Sequence, residues 1–148
     1  MKKVLTRLSA GFSGGALGGL ANSLAVWGLG AAGISTALGA NLTPAWSWPW
    51  LYPRIVWGGL WGLLFAFPCL QGSWLARGLL YSLGPSLVQM LIVFPLKAEK
   101  GLLGLDLGAT VPPFVLFYNA IWGVVAAVWV THAVEKSALA QEGSEQQT

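Results

Sequence analysis

Asn22, Gln89 and Asn119 are amide side chains that fall within long apolar stretches of the chain, joined by Ser82 and Ser86 on the stretch that carries Gln89. Ser82, Ser86 and Gln89 stand at i, i+4 and i+7, so a helix presents them on one face. Groups of this kind do one of two things inside a membrane. They hydrogen-bond from helix to helix as structural glue, at about 0.6 kcal/mol per bond, or they line a polar pathway. Proton relays and ion pathways use Asp, Glu or Lys at mid-span, and none stands within these stretches. Glue is therefore the expectation for Asn22, Ser86, Gln89 and Asn119, and a pathway the alternative.

Other chemistry is largely excluded. Cys69 and His132 are the only residues of their kinds, so the usual zinc cages, haem pairs and Cys–His nucleophiles cannot form within one chain. Asp106, in LLGLDLG, has no second carboxylate near it for acid–base work. No catalytic residue, cofactor site or metal site is nominated, and no enzyme activity is expected. GGALGGLANS (14–23) could suggest a phosphate-cradling loop, but a preceding strand and a Gly-Lys-Ser/Thr ending are both missing.

These residues must be positioned by something, and the composition says what. Of 148 residues, 55% are hydrophobic and only 9% charged, against about 25% charged in soluble domains. So few charges cannot cover a soluble surface, and an all-α integral membrane protein is expected, with the lipid bilayer as its first partner. The net charge of +3 has no basic patch behind it beyond Lys2, Lys3 and Arg7, so nucleic acid is not a partner.

Four stretches are apolar enough to cross a bilayer, which takes roughly 20 helical residues. They run over about 8–34, 54–70, 79–96 and 112–133 and predict a four-helix bundle within one domain, 1–136. Pro68 and Pro85 would kink or end their helices, and Pro112-Pro113 suits a helix start. Residues 137–148 are polar and read as a flexible tail. The start MKKVLTR followed by Ser23-Leu24-Ala25 has the outline of a signal peptide, but the segment between is glycine-rich and apolar sequence continues to Ile34; a retained helix is expected. With the amino terminus in the cytoplasm, the inner side holds Lys2, Lys3, Arg7, Arg77 and Lys136, and the outer side Arg54, Lys97 and Lys100. That bias places both termini inside.

The glycines are there for packing. At helical spacing, Gly11, Gly15, Gly19 and Ser23 form one row, and Gly14, Gly18 and Asn22 an adjacent one. Such a small-xxx-small face lets helix backbones approach closely in lipid. Gly58 and Gly62 repeat the device, as do Asn119, Gly123 and Ala127, and the first row is expected to dock on one of these two. AVWG (25–28), IVWG (55–58) and AIWG (120–123) share Trp before Gly, which suggests two related helical hairpins.

TPAWSWPWLYPR (43–54) places Trp46, Trp48, Trp50 and Tyr52 at every second position among three prolines. An extended chain would set those rings on one side, as an aromatic belt at the outer interface or as a platform for a flat ligand or partner. Arg54 would head the second helix and snorkel to the headgroups. His132 would occupy the last turn of the fourth, where a cation suits the dipole.

VWGGLWGLLFAF (56–67), VFPLKAEKGLLGLDLG (93–108) and NAIWG (119–123) resemble small bacterial inner-membrane families of uncharacterised function, of the YagU-like kind. The resemblance implies a helical protein of the inner (cytoplasmic) membrane and carries no functional residue across. Two functions are expected on these grounds: a non-enzymatic structural or accessory role, as a homo-oligomer or a subunit of a membrane complex, or a small transporter or channel built by oligomerisation.

Overall fold

The computed structural model describes residues 2–67 and 72–145, and over these the chain is all-α, with no strand. The helices are α1 (Lys2–Ala31), α2 (Ile34–Ala37), α3 (Trp48–Gly62), α4 (Trp74–Val88) and α5 (Val111–Glu145). A 3-10 stretch, Leu63–Ala66, prolongs α3, and a π-helical stretch, Gln89–Lys97, prolongs α4. A second 3-10 stretch, Leu102–Leu107, leads towards α5. Cys69 and Pro68 lie outside the described residues.

Two segments, Trp74–Lys97 and Val111–Val134, are each 24 residues long and apolar enough to cross a membrane. Of the other two expected spans, α1 has the length, at 30 residues, but its glycines and serines dilute its apolar content, and α3 is 15 residues long. Several boundaries move. The second helix begins at Trp48, six residues before Arg54, because Pro49 falls in the first turn, where its missing N–H has no helical partner to lose. The prolines of 43–54 therefore permit helix where extended chain was expected. Beyond Ala133, α5 continues in helical backbone through the polar stretch to Glu145, a run in which Ala, Leu, Glu and Gln favour helix. His132 is consequently internal to α5, its Nδ1 2.8 Å from the Val128 carbonyl oxygen rather than at a helix end.

The glycines explain how α1 sits at the centre. A Cβ on Gly15 would lie 2.7 Å from Gly62 Cα, one on Gly11 2.6 Å from Gly62 O, and one on Gly19 2.6 Å from Arg54 O. Real Cβ atoms essentially never come under 3.0 Å, so this row is backbone against backbone along α3. The adjacent row faces α5: a Cβ on Gly18 would lie 2.6 Å from Trp122 O, and one on Gly14 2.9 Å from the Trp129 ring. Gly123 and Ala127 meet a different partner, Gly78 of α4, whose Cβ would lie 2.5 Å from Gly123 O. The order around the bundle is thus α3–α1–α5–α4.

The open side of this arrangement lies between α3 and α4, which do not pack along their length. They are joined at one end only. There Arg77 donates to the carbonyls of Phe65 and Phe67, the Tyr81 hydroxyl donates to Phe67 O at 3.1 Å, and the Phe65 and Tyr81 rings meet edge to face. One turn on, Trp61 reaches the surface of α4 at Gly84.

Two apolar clusters close the ends of the bundle. Phe65, Trp122, Ala126, Ala127 and Val130 form one with Ala10; Ala40, Met90, Phe94, Val111 and Val115 form the other. The second is tied to the connecting loops by Asn41 N–H on Leu107 O (2.8 Å) and Thr110 Oγ1 on Leu38 O (2.7 Å). In the same loop region Gly104 holds φ +77°, and a Cβ there would lie 2.7 Å from the Phe94 ring, so both conformation and space require glycine. Asn119 stands between the two clusters along α5.

One glycine of α1 has no such duty. Nothing lies within 4 Å of a Cβ built on Gly28, which sits in helical backbone. Gly28→Ala is expected to stabilise the fold by about 0.4–1 kcal/mol through lower unfolded-chain entropy, read as a raised thermal midpoint in detergent.

Candidate functional site

Between the clusters, four side chains from four helical segments form one polar layer. Asn22 of α1 is its hub. Its Nδ2 donates to Tyr118 O at 2.8 Å and to Asn119 Oδ1 at 3.3 Å, while its Oδ1 accepts from Arg54 Nη2 at 2.7 Å. Arg54 Nε donates to Ser23 Oγ at 3.0 Å, and its guanidinium lies over the Trp50 ring, 4.8 Å from the centroid. At the far end Asn119 Nδ2 reaches Gln89 Oε1 at 3.4 Å. Gln89 is the first residue of the π-helical stretch. Asn22 and Asn119 are both buried.

The close backbone approach at Gly19 is what allows this. It brings Arg54 O against α1 and leaves the Arg54 side chain within reach of Asn22 and Ser23, about one turn on from Gly19 in the same helix. Arg54 therefore turns inward to neutral oxygens instead of snorkelling outward. Arg54 does not head the helix as expected: with α3 beginning at Trp48 it lies about 9 Å along the helix axis from that end.

Two cavities adjoin the layer and share Asn22, Arg54 and Gln89 in their walls. One, of about 310 Å³, is walled further by Trp50, Phe94 and Tyr118. The other, of about 410 Å³, opens between α3 and α4 and is walled by Trp57, Trp61, Val88 and Ile92, with Lys97 at its edge. Neither wall contains a carboxylate. Among the described residues no three His, Cys, Asp or Glu side chains converge.

The chain matches no family model, no curated protein and no solved structure.

The remaining residues singled out from sequence distribute as follows. Ser86 is fully buried but bonds within α4, to Ser82 O at 2.7 Å, and so stays out of the layer. Trp46 packs on Trp27 with ring centroids 5.2 Å apart and lies 6.1 Å from Trp50, whereas Trp48 and Tyr52 point away from the chain. The four rings do not share a side, because three of them are on a helix. Trp122 adds a contact that spacing did not suggest: its Nε1 donates to Gly15 O (3.0 Å) and Gly58 O (3.3 Å), pinning the α1–α3 glycine seam from α5. Tyr118 was also missed. A tyrosine next to an asparagine carries no sequence signal, and its importance comes only from the cavity it lines.

Proposed function

We propose that this is a multi-pass integral protein of the bacterial inner membrane, crossing it four times with both termini in the cytoplasm, and that its role is a non-enzymatic accessory one. The observation that carries the reading is the surface of α4 and its extension. Trp74–Lys97 is long and apolar, yet only 22% of its most apolar window is buried. Leu75, Leu79, Leu83, Leu87 and Leu91 stand four residues apart, and all are exposed. A core helix of a soluble protein buries such a stripe; here its natural cover is lipid. Phe12, Leu17 and Leu24 of α1 and Leu116 and Phe117 of α5 are exposed as well.

A transport role is favoured by one specific observation, the cationic cavity opening between α3 and α4. It lacks the mid-span carboxylates of ion relays, so the accessory reading is preferred, with the cavity as a binding site.

Topology tests the reading. In a Cys69→Ser background, Ser47→Cys is expected to react with an impermeant thiol reagent in intact cells, and Ser144→Cys only after permeabilisation. Labelling of Ser144→Cys alone from outside would reverse the orientation, and equal labelling of both without permeabilisation would refute the four-span topology.

A further inference from the structure

The hydrogen bonds of Arg54 all go to neutral oxygens, and its Nη1 has no partner among the described residues. A cation in an apolar setting without a counter-charge is unfavourable until an anion joins it. Tyr118 supplies a second and independent sign. It is 3% exposed and lines the 310 Å³ cavity together with Arg54, and its hydroxyl is buried with no hydrogen-bond partner among the described residues. Such an orphan hydroxyl is unusual in a native fold, and an acceptor entering the cavity would satisfy it. Gln89 commits its carbonyl oxygen to Asn119, which leaves its amide N–H groups as further donors on the shared wall. Three donor-bearing side chains, one of them a fixed positive charge, thus share the wall of this cavity.

The lining of the second cavity suits an apolar group attached to such an anion. Its walls between α3 and α4 are mainly apolar (Trp57, Trp61, Val88 and Ile92), and this is the side on which the two helices do not pack. Lys97 at its edge adds a second cation. We propose that the two cavities form one binding site for an anionic amphiphile. Its carboxylate or phosphate is held by Arg54, Tyr118 and Gln89, and its apolar chain lies between α3 and α4. The proposal rests on the membrane reading above.

The test uses the full chain reconstituted in phosphatidylcholine vesicles, alone or mixed with phosphatidylglycerol or with oleate. Vesicles are first washed in alkaline carbonate, and retained protein is then released for native mass measurement of bound species. One phosphatidylglycerol or one oleate per chain is expected, and whichever is retained identifies the source of the anion. Arg54→Gln should lower retention about tenfold, the value of a charge-assisted hydrogen bond, and Tyr118→Phe about fivefold. The ligand-free Tyr118→Phe protein should melt no lower than the parent, since that hydroxyl has no hydrogen-bond partner among the described residues; this variant decides the matter even if Arg54→Gln fails to fold. Equal retention by the parent and Tyr118→Phe, or phosphatidylcholine held as firmly as the anions, would overturn the site while leaving the membrane reading intact. Inorganic phosphate bound by the detergent-purified chain as firmly as the amphiphiles would overturn the apolar half of the proposal. Release of the chain by carbonate would overturn both readings together.

Discussion

Gly15→Leu is expected to lower the thermal midpoint of the purified protein sharply, with a loss of stability at or above the roughly 1–3 kcal/mol typical of overpacking. The reason is the kind of neighbour it meets. A Cβ at Gly15 falls 2.7 Å from Gly62 Cα and closer still to Gly58 O, so the obstruction is backbone, and no rotamer change relieves it. To admit leucine, α1 and α3 must separate along the whole seam. That movement also removes the Gly15 and Gly58 carbonyls that receive the Trp122 indole N–H. Leu17→Ile is the control, since Leu17 is exposed on another face of α1. Because the contact lies within one chain, the mass of the detergent-extracted species should not change. Unaltered stability in Gly15→Leu would refute the packing account, and an altered mass with unaltered stability would move the seam to an interface between copies.

Asn22→Leu is expected to destabilise by about 3 kcal/mol, the upper range for leaving buried polar partners unsatisfied. Leucine fills much of the volume but strands Arg54 Nη2, a charged donor, and Asn119 Oδ1, an acceptor. The size of the effect comes from those partners rather than from asparagine itself. The double variant Asn22→Leu/Arg54→Leu should therefore lose less than the sum of the two singles, with a coupling of about 1 kcal/mol or more. Thermal or denaturant melts of the four proteins close the cycle. Strict additivity would show that the two side chains do not act on each other in the folded protein.

How much of this could be read before folding varies residue by residue. The all-α class and the apolar character follow from composition and from long uninterrupted apolar runs, which are local properties. The small-residue rows of α1 were legible for the same reason: helical spacing alone puts Gly11, Gly15 and Gly19 on one face. Spacing could not choose their partner between Gly58/Gly62 and Gly123/Ala127, because both rows are equally bare. The choice is made by which helices become neighbours, and Gly78 opposite Gly123 is part of that answer.

The polar layer shows the same division more sharply. Asn22, Gln89 and Asn119 stand out in sequence as amides in apolar surroundings, since burying such groups demands partners. The place of Arg54 turns on one local feature, helix rather than extended chain over 48–53. Moving the helix start by six residues converts a headgroup anchor into an inward-turned cation. Tyr118 carries no signal in one dimension, and the repeat that includes Trp122 and the charge count that includes Lys97 do not reveal what either side chain touches. Their roles depend on which backbone carbonyls and cavity walls arrive beside them from residues as much as 107 positions away. What the sequence determined by itself is the chain's apolar character, its helical periodicity and its bare faces, because composition and spacing of three or four residues are enough to set them. The tertiary structure alone decided that Arg54 and Tyr118 would line one cavity, because hydrogen bonds and cavities are made by distance in space and not by distance along the chain.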